Sequence, residues 1–230
     1  MCQAQWWRHR ELAWASVREP PEPDVDTILF EPGYGSSVNE LERRVRSAVG
    51  RHPDVRAVRL AGSRQRGTPT ELSDWDFKVE TSDFERVADE LPSLVTPLTP
   101  LAQQWDPLAE TACYMLLLRG PTKVDFLFDR PQKPNPPWSA SGETLRAIDE
   151  HFWDWVLWLS SKESAGKDEL VQDELAKMST FLLGPLGVPE VPASILAAVR
   201  NYRGAREQAE RRWGVTVPRD IESEVAAVVV

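Results

Sequence analysis

Three aspartates lie in segments whose pattern is typical of β-strands. Asp74 and Asp76 flank Trp75, and Asp125 lies within the mostly apolar run 123–128. Because side chains along a strand alternate between its two faces, the first two acids share one face while Trp75 points to the other, which we expect to be core. Crowded carboxylates repel one another and are costly to remove from water. A divalent cation offsets both costs, and Mg²⁺ prefers hard oxygen ligands together with substrate phosphates.

The segment that precedes these acids could bind an anion. Residues 55–61 alternate apolar and polar side chains, as a strand does, and lead into Gly62 and Ser63. Glycine lets the backbone approach a ligand closely, and backbone N–H groups with the Ser63 hydroxyl would form an anion-binding turn. Arg64 and Arg66 follow and could grip phosphate oxygens, although loop arginines are also commonly solvated. A phosphate cradle beside a metal-binding strand supplies what phosphoryl transfer needs.

These residues form a recognisable motif. Gly62-Ser63, ten intervening residues (64–73) and then Asp74-Trp75-Asp76 resemble the signature of the nucleotidyltransferase superfamily related to DNA polymerase beta. Within that superfamily the chain looks most like the antibiotic nucleotidyltransferases, which attach AMP to aminoglycosides or lincosamides. The resemblance covers roughly residues 38–128. The later part of the chain resembles that group only in being helical.

The resemblance implies a role for each residue of the motif. Asp74 and Asp76 would hold two Mg²⁺ ions about 3.5–4 Å apart, and Asp125 would join them on the ion that activates an acceptor hydroxyl. Gly62 and Ser63 would bind the β- and γ-phosphates of ATP or another nucleoside triphosphate. The reaction would move a nucleoside monophosphate, with AMP as the first expectation, to a hydroxyl of a small molecule and release pyrophosphate.

Two lysines stand near the acids. Lys78 falls on the same strand face as Asp74 and Asp76, and Lys123 lies two residues before Asp125. Either lysine could touch a phosphate or balance the negative charge of the carboxylates. We place Lys78 among the nucleotide-binding residues and leave both roles open.

The proton acceptor for the attacking hydroxyl has two candidates. Asp125 is one, and an acid of the helical part is the other. Three acids fall along one helical stripe there: Glu143, Glu150 and Asp154. Such a stripe is also typical of a solvated acidic face. Two nearby tryptophans, Trp153 and Trp158, could stack on a nucleotide base or sugar, or pack against the sheet domain.

The pattern of apolar residues predicts an α+β chain in four parts. They are an N-terminal extension at residues 1–36, a nucleotidyltransferase domain at 37–130, a proline-rich linker at 131–138 and a helical domain at 139–230. The second part reads as helix, strand, strand, helix and hairpin, which builds a small mixed β-sheet with flanking helices. The last part carries three apolar stripes at helical spacing and predicts a helical bundle.

Local signals give the bounds of the elements. Capping boxes at 37–40 and 82–85 each precede a helix, and Gly50 ends the first one. The predicted strands are 55–61, the segment around Asp74 and Asp76, 112–119 and 122–128. The helical stripes run through 145–159, 171–182 and 195–213. The tail, 221–230, is either a short helix or a frayed end.

Composition and net charge limit the classes of molecule that the protein is expected to bind. The 230 residues are 41% hydrophobic and 27% charged, as in a soluble globular protein. The net charge of −9 and a pI near 5.0 argue against a nucleic-acid partner, because phosphate backbones call for a basic surface. They fit a cationic small acceptor such as an aminoglycoside, although many proteins are acidic for solubility alone.

Cysteine usage and hydropathy bear on location. Cys2 and Cys113 are far apart, so neither a disulfide framework nor a zinc site is supported, and a reducing cytoplasm is the default. No apolar run approaches a membrane span, and the first ten residues lack the apolar segment of a secretory signal. We therefore expect a cytoplasmic protein with no membrane partner. Nothing in the sequence indicates an oligomeric state.

Two other functions stay open beside small-molecule transfer. Superfamily members with the same motif act as antitoxins that add AMP to a partner protein, but they tend to lack so large a helical part. The chain could also bind nucleotide without catalysis, as a regulatory module. The presence of all three acids disfavours that second alternative.

Overall fold

The described part of the molecule comprises residues 35–132 and 138–229 of a computed structural model. Residues 1–34 of the predicted N-terminal extension and most of the predicted linker fall outside these ranges. Asn39–Val230 form one compact unit. The division of that unit at 131–138 into a nucleotidyltransferase domain and a helical domain stays a prediction.

A five-stranded mixed sheet forms the first half of the chain. Its strands are β1 (Val55–Leu60), β2 (Trp75–Thr81), β3 (Ala102–Trp105), β4 (Thr111–Leu118) and β5 (Thr122–Pro131). The spatial order is β1-β2-β5-β4-β3. The central pair β2 and β5 is parallel, whereas the other neighbouring pairs are antiparallel. Helices flank the sheet and follow it, so the α+β fold class is confirmed.

The helices occupy most of the remaining described chain. They are α1 (Gly35–Val49), α2 (Gly62–Gln65), α3 (Phe84–Leu94), α4 (Leu145–Ser164), α5 (Asp168–Met178), α6 (Ile195–Trp213) and α7 (Asp220–Val229). Single 3₁₀ turns lie at Thr96–Leu98 and Gly184–Leu186, and a π-helical turn at Ser179–Leu183 extends α5. No helix in the described ranges is long and apolar enough to cross a membrane.

Most predicted elements are confirmed, and four details are corrected. Helix α1 begins at Gly35, so the predicted capping box at 37–40 lies inside the helix and does not precede it. The chain after Gly62 forms the short helix α2 instead of a turn. Helix α3 is capped by Asp83, whose side chain accepts a hydrogen bond from the backbone N–H of Arg86, and not by Ser82. Strand β3 was not predicted, because it is only four residues long and contains the polar pair Gln103 and Gln104. The tail is a helix, α7.

The two faces of the sheet differ in what they bury. One face holds the aromatic core, where Phe77 and Phe126 are fully buried together with apolar residues of α1 and α3. The other face carries Asp76 and Asp125. Helix α4 packs against β3 and β5 and also against α5, α6 and α7. It is buried nearly all round, as expected of a central helix, and it carries polar side chains to the acidic face of the sheet.

Candidate active site

The three predicted aspartates meet at the junction of β2 and β5. Asp76 and Asp125 are direct neighbours across the parallel pair, and Asp74 lies immediately before β2. One carboxylate oxygen of each residue lies within 4.8 Å of the others. Asp74 and Asp125 are each 8% exposed. The parallel register therefore brings together acids that are about fifty residues apart in the chain.

Burial makes this cluster electrostatically costly. The pKa of Asp76 is raised to about 7, first by burial and then by the charges of Asp74 and Asp125. Burial also raises the pKa of Asp125, against the opposing effect of Lys123. Three clustered carboxylate oxygens are the donor set that Mg²⁺ and related hard cations prefer. The cluster therefore fits a bound divalent cation, which would remove the repulsion.

Glycine is required beside this cluster. Gly62 has a φ of 68°, a region that residues with a side chain rarely adopt, and a Cβ atom there would lie 1.8 Å from Oδ2 of Asp76. Backbone hydrogen bonding fixes the approach, because the N–H of Ala61 donates to the carbonyl of Asp76 at 2.8 Å. The Gly-Ser part of the motif thus has a physical reason, which is direct contact of backbone and carboxylate.

The Ser63 hydroxyl, the second part of the Gly-Ser motif, is a buried polar group. Its oxygen is buried and has no hydrogen-bond partner among residues 35–132 and 138–229. A buried hydroxyl without a partner costs about 1–3 kcal/mol. The hydroxyl is therefore free to donate to a ligand, and its contact with a phosphate oxygen stays a prediction.

Arg64 contacts the backbone that leads into β2, and its contact with phosphate stays a prediction. Its guanidinium donates to the backbone carbonyls of Ser73, at 2.6 Å, and Asp74, at 3.0 Å, and lies 4.1 Å from the ring centroid of Trp75. These contacts hold the chain that leads into β2, so Arg64 positions Asp74. Burial lowers its pKa, against the charges of the nearby aspartates. The sequence showed a cation in the right loop but not which way it points.

The other two predicted phosphate contacts are on the surface. Arg66 caps the C-terminus of α2 and is exposed. Lys78 is exposed on β2, two residues beyond Asp76 and opposite Arg59 in register. Their contact with phosphate stays a prediction.

Lys123 balances carboxylates, one of the two roles considered for it. Its buried ammonium group lies 2.8 Å from Oδ1 of Asp125 and 2.8 Å from each carboxylate oxygen of Asp154 on α4. Burial raises the pKa of Asp154 to about 7, against the charge of Lys123. The two short contacts from the ammonium group favour the ionised carboxylate. The prediction of a solvated acidic face is therefore wrong for Asp154, which is 5% exposed.

The remaining residues of the predicted acidic and aromatic stripe have other positions. Glu150 is mostly buried and accepts a hydrogen bond from Arg146, whereas Glu143 is exposed. Trp153 is fully buried and packs on Tyr202 in the helical core, so it is not available for stacking on a ligand. Trp158 is half-buried.

Sequence reasoning missed Lys162, near the end of α4. Its ammonium group lies 3.6 Å from Oδ2 of Asp74 and 4.9 Å from the ring centroid of Trp158. Its side chain is 18% exposed, so it can be reached from solvent. No signal in the sequence separates this lysine from the solvated lysines that follow it, because its position depends on how α4 packs on the sheet.

A groove of about 450 Å³ lies elsewhere on the sheet domain. Its walls include Phe84 of α3, Trp105 of β3 and Arg130 of β5. None of the three aspartates lines it, so it is separate from the carboxylate cluster.

Comparison with known proteins gives a distant likeness in structure. No protein-family model matches the chain, and no curated protein matches it. The chain is similar to the crystal structure of an aminoglycoside 6-adenyltransferase from Bacillus subtilis, with 12% identity and a TM-score of 0.30. The match covers 82% of this chain and 95% of that one. A likeness at this level assigns no role to any residue, so the roles depend on the geometry described above.

Proposed function

We propose that the protein is a metal-dependent nucleotidyltransferase. It would move a nucleoside monophosphate from a nucleoside triphosphate to a hydroxyl of a small molecule and release pyrophosphate. One observation carries the proposal: carboxylates from two parallel strands converge within 4.8 Å, beside a glycine at which any Cβ would displace Asp76 and a buried serine hydroxyl without a partner in the described ranges. Metal ligands and a phosphate donor side by side are the parts that phosphoryl transfer requires.

Each part of the site has a role in this proposal. Asp74, Asp76 and Asp125 would hold Mg²⁺, one ion or two. Bound there, the metal would supply charge neutralisation of the triphosphate and polarisation of the attacking hydroxyl. The Ser63 hydroxyl and the backbone of Gly62 would bind the β- and γ-phosphates and so orient the α-phosphorus for attack.

Lys162 joins the predicted phosphate-binding residues. Its ammonium group is partly exposed and lies beside Asp74, on the α4 side of the site. An ammonium group in this position would stabilise charge on the leaving pyrophosphate. Arg64 is proposed as the residue that positions Asp74, because two of its three guanidinium nitrogens donate to the backbone carbonyls of Ser73 and Asp74.

The proton of the attacking hydroxyl has a better acceptor in Asp125 than in Asp154. Both oxygens of Asp154 are held by Lys123, whereas Asp125 gives only Oδ1 to that lysine. The second oxygen of Asp125 is therefore available within the cluster. We propose ATP as the donor and a cationic, hydroxyl-rich antibiotic as the acceptor, which the net charge of −9 would attract.

A screen for pyrophosphate release tests the proposal. The four nucleoside triphosphates with Mg²⁺ would be combined with aminoglycosides, lincosamides and other polyols. We expect release with at least one pair, and its loss in Asp76→Asn. The matched control is Asp129→Asn, an exposed aspartate four residues after Asp125 on β5, which should keep full activity.

Other outcomes of the screen would point to the two alternative functions. Binding of ATP and Mg²⁺ without any release would indicate a regulatory module. Transfer of AMP to a co-purified protein, with no small acceptor used, would indicate protein modification. Equal release by the wild type and Asp76→Asn would contradict the metal assignment itself.

A further inference from the structure

A buried lysine links the carboxylate cluster to helix α4. An ammonium group has three N–H donors. Those of Lys123 meet three oxygens, one of Asp125 and both of Asp154, each at 2.8 Å. The lysine is 7% exposed and Asp154 is 5% exposed. All donors of the lysine are therefore satisfied by two acids, one from the sheet and one from the helix.

The position of Lys123 creates a problem for a metal site. A positive charge 2.8 Å from Asp125 repels a cation bound at that carboxylate. With Asp125 as its only acid, the lysine would also compete for both oxygens of the residue. Asp154 removes both effects, because its charge offsets that of the lysine and its two oxygens take two of the three donors. Oδ2 of Asp125 is then left for a ligand.

Stability alone is a poor reason for this arrangement. Removing a lysine and an aspartate from water costs several kcal/mol per ion, and well-packed apolar residues of similar size often stabilise a protein as much or more. The lysine of the pair also lies two residues from Asp125 and contacts it. If the Lys123–Asp154 pair tunes the electrostatics of the carboxylate cluster, both the cost of burying the pair and its location beside Asp125 are explained.

We propose that Asp154 is a positioning residue of the metal site, which acts through Lys123 to leave one oxygen of Asp125 free and oriented for metal binding. The inference rests on the proposed function, since it assumes a cation at the three aspartates. Asp154 itself does not touch the metal or the substrates. It sets how tightly the site holds its cation.

Titration of the purified protein with Mn²⁺ alone, followed by the electron paramagnetic resonance signal of the unbound ion, tests this role without any turnover. We expect Asp154→Asn to weaken Mn²⁺ binding about 10- to 100-fold, the usual cost of removing a partner behind a metal ligand. In the activity assay the same variant should need more Mg²⁺ for half-maximal rate, with kcat largely recovered when the metal saturates.

A paired substitution separates this charge effect from mere structural support. Lys123→Met with Asp154→Asn removes the charge that Asp154 offsets. We expect the double variant to bind Mn²⁺ within about tenfold of the wild type, and more tightly than Asp154→Asn. If Asp154 only pins α4 to the sheet, the double variant should bind no more tightly than the single one. If Asp154→Asn does not fold, the double variant is compared with the wild type alone. Mn²⁺ binding within about tenfold of the wild type supports the proposal, and a larger loss of affinity overturns it.

The control is a second buried acid of the same helix. Asp149 is 1% exposed and pairs with Arg206 at 2.8 Å, away from the cluster. Asp149→Asn should lose stability but bind Mn²⁺ as the wild type does. A wild type that binds no Mn²⁺, or an Asp76→Asn variant that binds it equally well, would defeat the proposed function. Unchanged binding in Asp154→Asn, with Asp76→Asn impaired, would defeat only the present inference.

Discussion

Helix α4 contributes to two buried clusters of charge, and the two are built differently. In the helical part, acids and arginines of α4, α6 and the segment 219–229 form a network of ion pairs. The pairs are Asp149 with Arg206, Glu222 with Arg203 and Arg206, and Glu210 with Arg219. Each acid there has an arginine within direct contact. At the sheet there are four acids and two lysines: Lys123 contacts Asp125 and Asp154, and Lys162 lies beside Asp74, which leaves Asp76.

The difference in pairing distinguishes ion pairs that support the fold from carboxylates that are available to bind a ligand. Asp76 forms no ion pair within the described residues, and Lys162 is 3.6 Å from Asp74, longer than a hydrogen bond. An acid that is paired with an arginine needs no bound ligand to compensate its charge. Carboxylates in excess cost stability, and we infer that they are kept for the cation that they bind. Substitutions in the two clusters should therefore have opposite effects.

The largest effect is expected at the unpaired acid. Asp76→Asn should lower the rate of pyrophosphate release on the order of a thousandfold, because a metal ligand is lost. The same change should leave the metal-free protein at least as stable as the wild type, since it removes repulsion from Asp74 and Asp125. Urea unfolding in EDTA beside the activity assay measures both. A variant that lost stability and kept its rate would reverse the comparison.

The matching substitution in the paired cluster is Asp149→Asn. It leaves Glu222 as the acid that pairs with Arg206, and it replaces a charged acceptor of the Tyr202 hydroxyl, which donates to Asp149 at 2.7 Å, by a neutral one. We expect a loss of about 3 kcal/mol in the free energy of unfolding. Activity of the folded fraction should be unchanged. Urea unfolding followed by circular dichroism measures the first quantity, and a neutral effect on stability would show that this network is dispensable.

The glycine beside Asp76 offers a test of close approach. Gly62→Ala should cost about 2 kcal/mol of stability and about a hundredfold in rate, because the new Cβ would displace the carboxylate. Gly67→Ala is the matched control, since Gly67 has a similar φ of 71° but no heavy atom within 4 Å of the place where the methyl group would lie. It should lose about 1 kcal/mol and keep its rate. Equal losses of rate in both variants would mean that backbone strain, and not the carboxylate contact, is responsible.

A smaller effect is expected at Lys162. Lys162→Met should raise the KM for the nucleoside triphosphate about tenfold, since one charge-assisted contact with phosphate is lost, and leave stability nearly unchanged. Lys167→Met, on the exposed turn after α4, is the control and should have no effect. Steady-state kinetics at saturating Mg²⁺ measures the change. An unchanged KM would remove Lys162 from the phosphate-binding set.

The smallest effect is a dependence of stability on pH. The pKa of Asp76 is about 7 in the folded protein against an ordinary value of 3.8, so between these values the folded state holds a proton that the unfolded state has lost. Stability of the metal-free protein should therefore fall as pH rises from about 4 to 7. Melting temperatures in EDTA at several pH values measure this trend. Asp76→Asn should make the trend less steep without abolishing it, because Asp154, whose pKa is also raised to about 7, contributes in the same direction. An equally steep trend in that variant would place its origin outside Asp76.

The sequence was most informative where a short-range rule decides the structure. Alternation along strands placed Asp74 and Asp76 on one face and Trp75 and Phe77 on the other, as observed. Helical spacing and Gly214, which has a φ of 66°, indicated the third bundle helix and its end. Convergence of Asp125 with the first pair was implied by the resemblance of the motif, and the parallel register of β2 and β5 brings it about.

The sequence was least informative where packing between distant elements decides. Asp154 and Lys162 reach the cluster only because α4 lies on the acidic face of the sheet, and nothing local indicates that arrangement. Arg64 turned toward backbone carbonyls, a choice set by the path of the loop before β2. Trp153 was expected at a surface or interface and is instead in the helical core, since α4 is buried on nearly every side.

Anomalous scattering from Mn²⁺ in crystals grown with a non-hydrolysable ATP analogue tests the central claim most directly. We predict a peak bonded to oxygens of Asp74, Asp76 and Asp125, with the phosphates of the analogue beside Ser63. A nucleotide bound elsewhere, for example in the groove between Phe84 and Trp105, with no metal at the three aspartates, would contradict the account.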